Sequence, residues 1–315
     1  MSIEKIHRSF APYSSEGEDD KKNQTIKITS LNDEGATMRV NRATADFSLH
    51  YKNNVFDVSD LEKTEEEKHM ISMAQTAFDK LFEDMKLLPQ KFKESEIHIV
   101  DENEYAEKIQ DHGKEKTFGK FSFGHVYCIR GDRREFLRVL VHELAHKASY
   151  YGLAVNVGNA VYDIALRKTG LTSQGRGEKR LFEGMNEAVT ELIAKDILRR
   201  ICEDNNFSEE DKRYLIMEMT SYLPQVLVVT GLTNKLADND RYLAGKLLAD
   251  FFRSYFNGDY SFFKEIEKKQ SGATKIMREM GTKDEDALIA AKRLSLPESE
   301  KIIRKIIGDR NIERV

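Results

Sequence analysis

Two histidines four residues apart bracket a glutamate in the run His142-Glu143-Leu144-Ala145-His146. On a helix, a four-residue step advances about 6 Å and returns to nearly the same face. Both imidazoles can then reach one metal ion at the ~2.0–2.1 Å bonds that zinc takes from nitrogen. Glu143 is turned roughly 100° from His142. That takes it off the metal but leaves it able to accept a proton from a water the metal activates. The bland alternative is a hydrogen-bonded histidine pair in an apolar core. Val139-Leu140-Val141 precede the run, so these polar groups are expected to be largely buried and need partners.

Such a site needs a third protein ligand and an open fourth position. The stretch Leu181-Phe182-Glu183-Gly184-Met185-Asn186-Glu187-Ala188-Val189-Thr190-Glu191-Leu192 offers Glu187 and Glu191 four apart on one helical face. One carboxylate suits the metal. The other suits a place behind it, orienting a ligand histidine through its second ring nitrogen. Glu183 lies one turn earlier and is an alternative ligand. A solvated acidic face is the competing explanation, against which Ala188, Val189, Leu192 and Ile193 leave little purely exposed surface.

The two motifs together, His142-Glu-Leu-Ala-His146 and Asn186-Glu187-Ala-Val-Thr190-Glu191, resemble those of the gluzincin metallopeptidases, of which thermolysin is the familiar member. They are similar in particular to the compact forms called minigluzincins. The resemblance covers roughly residues 121–200. It implies His142, His146 and Glu187 as zinc ligands, Glu143 as general base, and Glu191 as the partner of a ligand histidine. It also implies an edge strand before the active-site helix that pairs with substrate backbone, and a Tyr or His for the oxyanion. Tyr150, Tyr151, Tyr162, Tyr214 and Tyr222 are all candidates for that last role, and spacing does not choose among them. His125 is a further candidate ligand, although a lone strand histidine is more often structural.

The elements that must position these residues follow from periodicity. Ser59 with Glu62 suggests a capping box for a helix that runs to about Leu88, with Pro89 beyond it. Ile97–Val100 reads as a strand and Tyr105–Gln110 as a short helix. Phe121–Ile129 alternates as a single strand. Asp132 with Glu135 suggests the box that opens the His142 helix, which stops near Gly152. Residues 152–184 read as an excursion with a short helix around Val161–Lys168. A strong helix covers Met185–Arg200, and everything from Ser208 onward is helical, with breaks near Pro224, Asn257-Gly258, Gly281 and Pro297.

The expected fold class is α+β and zincin-like: a small mixed sheet with an active-site helix, followed by a mostly helical C-terminal half. Residues 1–27 read as a disordered tail, and 28–60 as a small β-rich segment and candidate pro-segment. Residues 61–200 form the catalytic core with both metal-binding helices, and 201–315 a helical subdomain. The 315 residues are 40% hydrophobic and 33% charged, with a net charge of −4 and both signs interspersed. This argues against a dedicated nucleic-acid protein. Cys128 and Cys202 are the only cysteines, too few for a disulfide scaffold. No signal peptide and no membrane span are read, which points to the cytoplasm.

The expected activity is hydrolysis of peptide bonds in a peptide or protein substrate, with Zn2+ as cofactor and the oligomeric state left open. Three rivals remain. They are a non-peptidase zinc hydrolase, a zinc-binding regulatory or inactive peptidase-like protein, and a latent enzyme whose residues 1–58 cover the cleft.

Overall fold

Alternating apolar residues pair into two small sheets, and amphipathic stripes supply eleven helices among the described residues of the computed structural model. Those are residues 24–28, 56–110, 117–122, 124–149, 151–157, 162–174, 180–217, 222–258 and 260–313. The result is a mostly helical α+β chain. It divides into two compact units, Met1–Arg167 with Ala194–Met217, and Lys168–Ile193 with Glu218–Val315. Among the described residues, no helix is long and apolar enough to cross a membrane.

In the first unit, helix α1 (Glu65–Asp84) opens on a reciprocal capping box between Thr64 and Glu67. The sequence places that box at Ser59 and Glu62, one turn too early. Tertiary bonds explain the shift: Leu61 N donates to the Ile99 carbonyl at 2.8 Å, and Asp60 Oδ1 accepts from Ile99 N at 3.0 Å. These hold residues 60–61 extended along β2 (Ile97–Val100), so the helix starts at the next available box. Its inner stripe, including Met70, Ala74, Ala77, Phe78, Leu81 and Phe82, is buried.

The short helix α2 (Glu102–Lys108) follows β2. Then comes a correction: Phe121–Ile129 is not one strand but part of a hairpin of β3 (Gly119–Ser122) and β4 (His125–Ile129). They pair antiparallel with Ser122 opposite His125, and Gly124 turns the chain at φ 83. Residues three apart pair across this turn, so Phe121 shares a face with Val126 and not with Tyr127; the period-two pattern continues in the sequence although the face it marks changes. Gly124 was the one visible signal. The sheet order is β2-β4-β3, with β2 parallel to β4 and β3 at an edge.

One face of this sheet, with Gly119 and Cys128, meets helix α3 (Arg133–Ala148). Tyr127, Ile129 and Val100 on the other face form a buried cluster with Tyr105 and Ile109, against which Phe56 and Val58 pack. Phe56–Val58, part of the stretch considered as a cleft cover, thus lie on the face away from α3. Residues 29–55, where β structure and a candidate pro-segment were expected, lie outside the described residues.

Gln24–Ile28, read in the sequence as reaching from a disordered tail, forms strand β1, parallel to β5 (Tyr151–Val157). Its backbone groups on the β5 side are satisfied by that pairing. The expected helix around Val161–Lys168 is strand β6 (Tyr162–Thr169). It stands in a sheet of order β1-β5-β6-β7-β8, where β7 is Thr172–Gln174 and β8 is Arg180–Leu181. Tyr162, Ile164 and Leu166 alternate in that segment, a period that suits a sheet once partners are at hand.

Helix α4 (Glu183–Asp204) runs through the unit division, and α5 (Glu209–Met217) closes the first unit. The second unit continues with α6 (Leu223–Leu236), α7 (Arg241–Asn257), α8 (Ser261–Lys269), α9 (Ala273–Glu279), α10 (Asp284–Arg293) and α11 (Pro297–Glu313). Pro224 and Pro297 begin helices instead of breaking them, because a first-turn proline gives up an N–H that has no intrahelical partner. Gly258 does end α7, at φ 67. Two breaks are unanticipated: one at Asp238 and Asn239, both at positive φ and of residue types that tolerate this conformation, and one between Lys269 and Ala273, where Gly272 stands at φ 82.

Candidate metal centre

Asp132 caps α3 by accepting from Arg134 N at 2.9 Å and Glu135 N at 3.2 Å. Glu135 does not complete a box; its carboxylate is held by Arg138 at 2.7 Å and by the Tyr214 hydroxyl at 2.8 Å. Phe136, Leu137, Leu140, Val141, Leu144, Ala145 and Ala148 bury the inner stripe. That leaves His142 and His146 half-buried on one side, with ring centroids 4.9 Å apart. Glu143 is 9% exposed and lies against the sheet, where a Cβ added to Gly119 would stand 2.9 Å from its Cγ. Behind it the Cys128 thiol is fully buried; burial pushes its pKa well up and the charge of Glu143 adds to this. Cys128 and Cys202 are both free thiols.

The first turns of α4 are fixed by tertiary bonds. Phe182, at φ 61, donates its N–H to the Arg278 carbonyl at 2.9 Å, and Gly184 N donates to the Met280 carbonyl at 3.0 Å. A side chain at Gly184 would run into the Gly281 carbonyl. Asn186 Oδ1 accepts from Leu171 N at 2.8 Å, directly after Gly170 at φ 55. The Thr190 hydroxyl donates to the Asn186 carbonyl at 2.8 Å and lies 2.8 Å from the buried Tyr255 hydroxyl. The Asn and Thr of the second motif are thus structural anchors. Glu187 is half-buried and Glu191 is 6% exposed.

His142, His146 and Glu187 each offer one ligand atom, and these atoms lie within 4.8 Å of one another. Among the described residues this is the one such group of three or more, and it could hold a metal ion. Two imidazoles and a carboxylate are a donor set that fits zinc and other borderline divalent cations. Glu183, the alternative ligand, is not in the group; Arg180 Nη1 lies 3.6 Å from its carboxylate.

His125 is not in the group either. Its Nδ1 lies 2.8 Å from His98 Nε2, and His98 Nδ1 lies 3.1 Å from Asp60 Oδ2. Burial, the charge of His98 and that of Lys147 push the His125 pKa down to about 4; burial also lowers that of His98. Of the tyrosines considered for an oxyanion, Tyr214 is committed to Glu135, two helical turns before His142. Tyr150 lies outside the described residues. Tyr151 and Tyr162 lie in β5 and β6, and Tyr222 is half-buried at the start of α6. The sequence carried no pattern that singled out Tyr255, Gly119 or Lys147, whose roles depend on distant neighbours. Compared with protein families, curated proteins and solved structures, the chain matches none.

Proposed function

We propose that the protein is a zinc-dependent peptidase of gluzincin type, with a zincin-like core, acting on peptide or protein substrates. The observation that carries this reading is the convergence of His142, His146 and Glu187 from two helices, with Glu143 between the histidines in sequence. In this reading those three residues hold the ion. Zinc bound there would lower the pKa of a water towards ~7 and polarise a scissile carbonyl. Glu143 accepts the proton of the attacking water on its carboxylate and passes it to the nitrogen of the leaving amine. Its low exposure, against Gly119, limits the positions its carboxylate can take. Glu191, one turn beyond Glu187, orients a ligand histidine through the ring nitrogen that faces away from the ion.

The test is metal analysis joined to a cleavage profile on unfolded protein and peptide libraries. The expected result is about one zinc per chain. Glu143→Gln keeps the metal while turnover falls by about 10²- to 10⁴-fold. Full activity in metal-free wild type, or full activity in Glu143→Gln, overturns the reading.

A further inference from the structure

The β3–β4 hairpin meets α3 at two places. At its open end, Gly119 lies against Val139 and Glu143, and a Cβ there would stand 3.3 Å from Glu143 Oε1. At its turn, the Gly124 carbonyl accepts a hydrogen bond from Lys147 Nζ. Lys147 directly follows His146 on α3, and its side chain is 1% exposed. The same ammonium pairs with Glu96 Oε2 at 2.7 Å, in the single 3-10 turn that leads into β2. Desolvating an ion costs several kcal/mol, and an apolar side chain of similar size is often no worse for stability. Packing alone therefore does not account for a charge at this position, whereas a fixed bond to a turn carbonyl does.

We propose that Lys147 is a positioning residue whose ammonium clamps the tip of the β3–β4 hairpin to α3 and so sets the spacing between β3 and Glu143. This rests on the peptidase reading, because the spacing matters for an extended peptide laid along the edge of β3. Strand β4 is held by β2 on its other side, with Ile97–Val100 opposite Val126–Ile129. Strand β3 has one strand partner among the described residues. Loss of the clamp therefore loosens β3 first and leaves the sheet centre intact. At the open end Glu143 occupies the space a side chain would take, so any pivot of β3 is felt there.

The test uses the full chain supplied with zinc, and compares Lys147→Met and Glu96→Gln with wild type. The readouts are amide hydrogen exchange over residues 119–122, zinc affinity by chelator competition, and kcat and KM on quenched decapeptides. In Lys147→Met, exchange in β3 rises about tenfold. KM rises about tenfold while kcat stays within about threefold. Zinc affinity stays within about twofold, less than the loss seen when a metal ligand's own partner is removed. Glu96→Gln leaves the ammonium on Gly124 and moves the same readouts less; it decides the matter if Lys147→Met does not fold. Unchanged exchange in β3 of a folded variant overturns the clamp. So does a loss of zinc or of kcat with KM unmoved, which makes Lys147 a support of His146 alone. Wild type that binds zinc and cleaves nothing overturns the peptidase reading instead, and β3 exchange then reports on the clamp by itself.

Discussion

Helices α3 and α4 both carry candidate ligand atoms, but their first turns are capped by restraints from different distances along the chain. For α3 the cap is Asp132, directly before its first residue, and the packed strands β3 and β4 end a few residues upstream; the Tyr214 hydroxyl on Glu135 is the long-range addition. For the first turns of α4 the restraints come mostly from far downstream, from Arg278, Met280 and Gly281 at the helix start and from Tyr255, 65 residues from Thr190, with Leu171 on Asn186 as the nearer one. Local restraints can act as soon as the neighbouring residues fold. Distant ones act only when the whole helical unit is in place, because loop closure comes before their contacts. The imidazole pair is thus a property of one helix and its neighbours. The carboxylate position is a property of an assembled unit.

The largest effect that tests this comparison lies in the carboxylates themselves. Glu187→Ala should weaken zinc binding by more than about 100-fold, beyond the 10- to 100-fold typical of a ligand's supporting groups. Glu183→Ala should leave it within about twofold, since that carboxylate stands outside the group of three. Chelator competition on both variants checks the pair, and a large loss in Glu183→Ala with little in Glu187→Ala would mean the ligand is misassigned by one turn.

A smaller effect separates the two kinds of restraint. Gly184→Ala places a methyl against the Gly281 carbonyl and should cost about 1–3 kcal/mol of stability. It should also loosen zinc, because it shifts the turn just before Glu187. Asp132→Ala removes the α3 cap and should cost about 0.5–2 kcal/mol, with zinc affinity held. Urea unfolding and zinc titration of both variants sharpen the contrast. If Asp132→Ala loosens zinc as much as Gly184→Ala, the contrast is broken.

The smallest effect concerns the sheet behind α3. His98 and His125 are both lowered below the ordinary 6.5, His125 to about 4. The folded chain keeps them neutral where the unfolded chain already takes up protons. Stability from this pair is therefore present above about 6.5 and is lost as pH falls towards about 4, where the slope disappears. Groups facing the pair are Asp60, Lys63, Glu96, Tyr127 and Lys147. Urea midpoints at pH 7 and pH 5 should differ less in His125→Gln than in wild type; equal differences would remove the histidines as the cause.

Period and capping made α1, β2, α3, α4 and the C-terminal helices legible, because apolar stripes and Asp or Thr caps act over one or two turns. The same rule failed at Tyr162–Thr169, where sheet partners decided for a strand, and at Ser59, where bonds to β2 kept the chain extended past a plausible cap. It missed the hairpin turn at Gly124, because every second residue stays apolar across the turn although the face so marked changes there.

For the site, spacing alone determined that His142 and His146 share a face and that Glu143 points elsewhere, since a helix repeats every 3.6 residues whatever surrounds it. Spacing also offered Glu183, Glu187 and Glu191 at equivalent intervals along one helix. Only the tertiary structure chose among them, because that choice depends on where the first turn of α4 is pinned by Leu171, Arg278 and Met280.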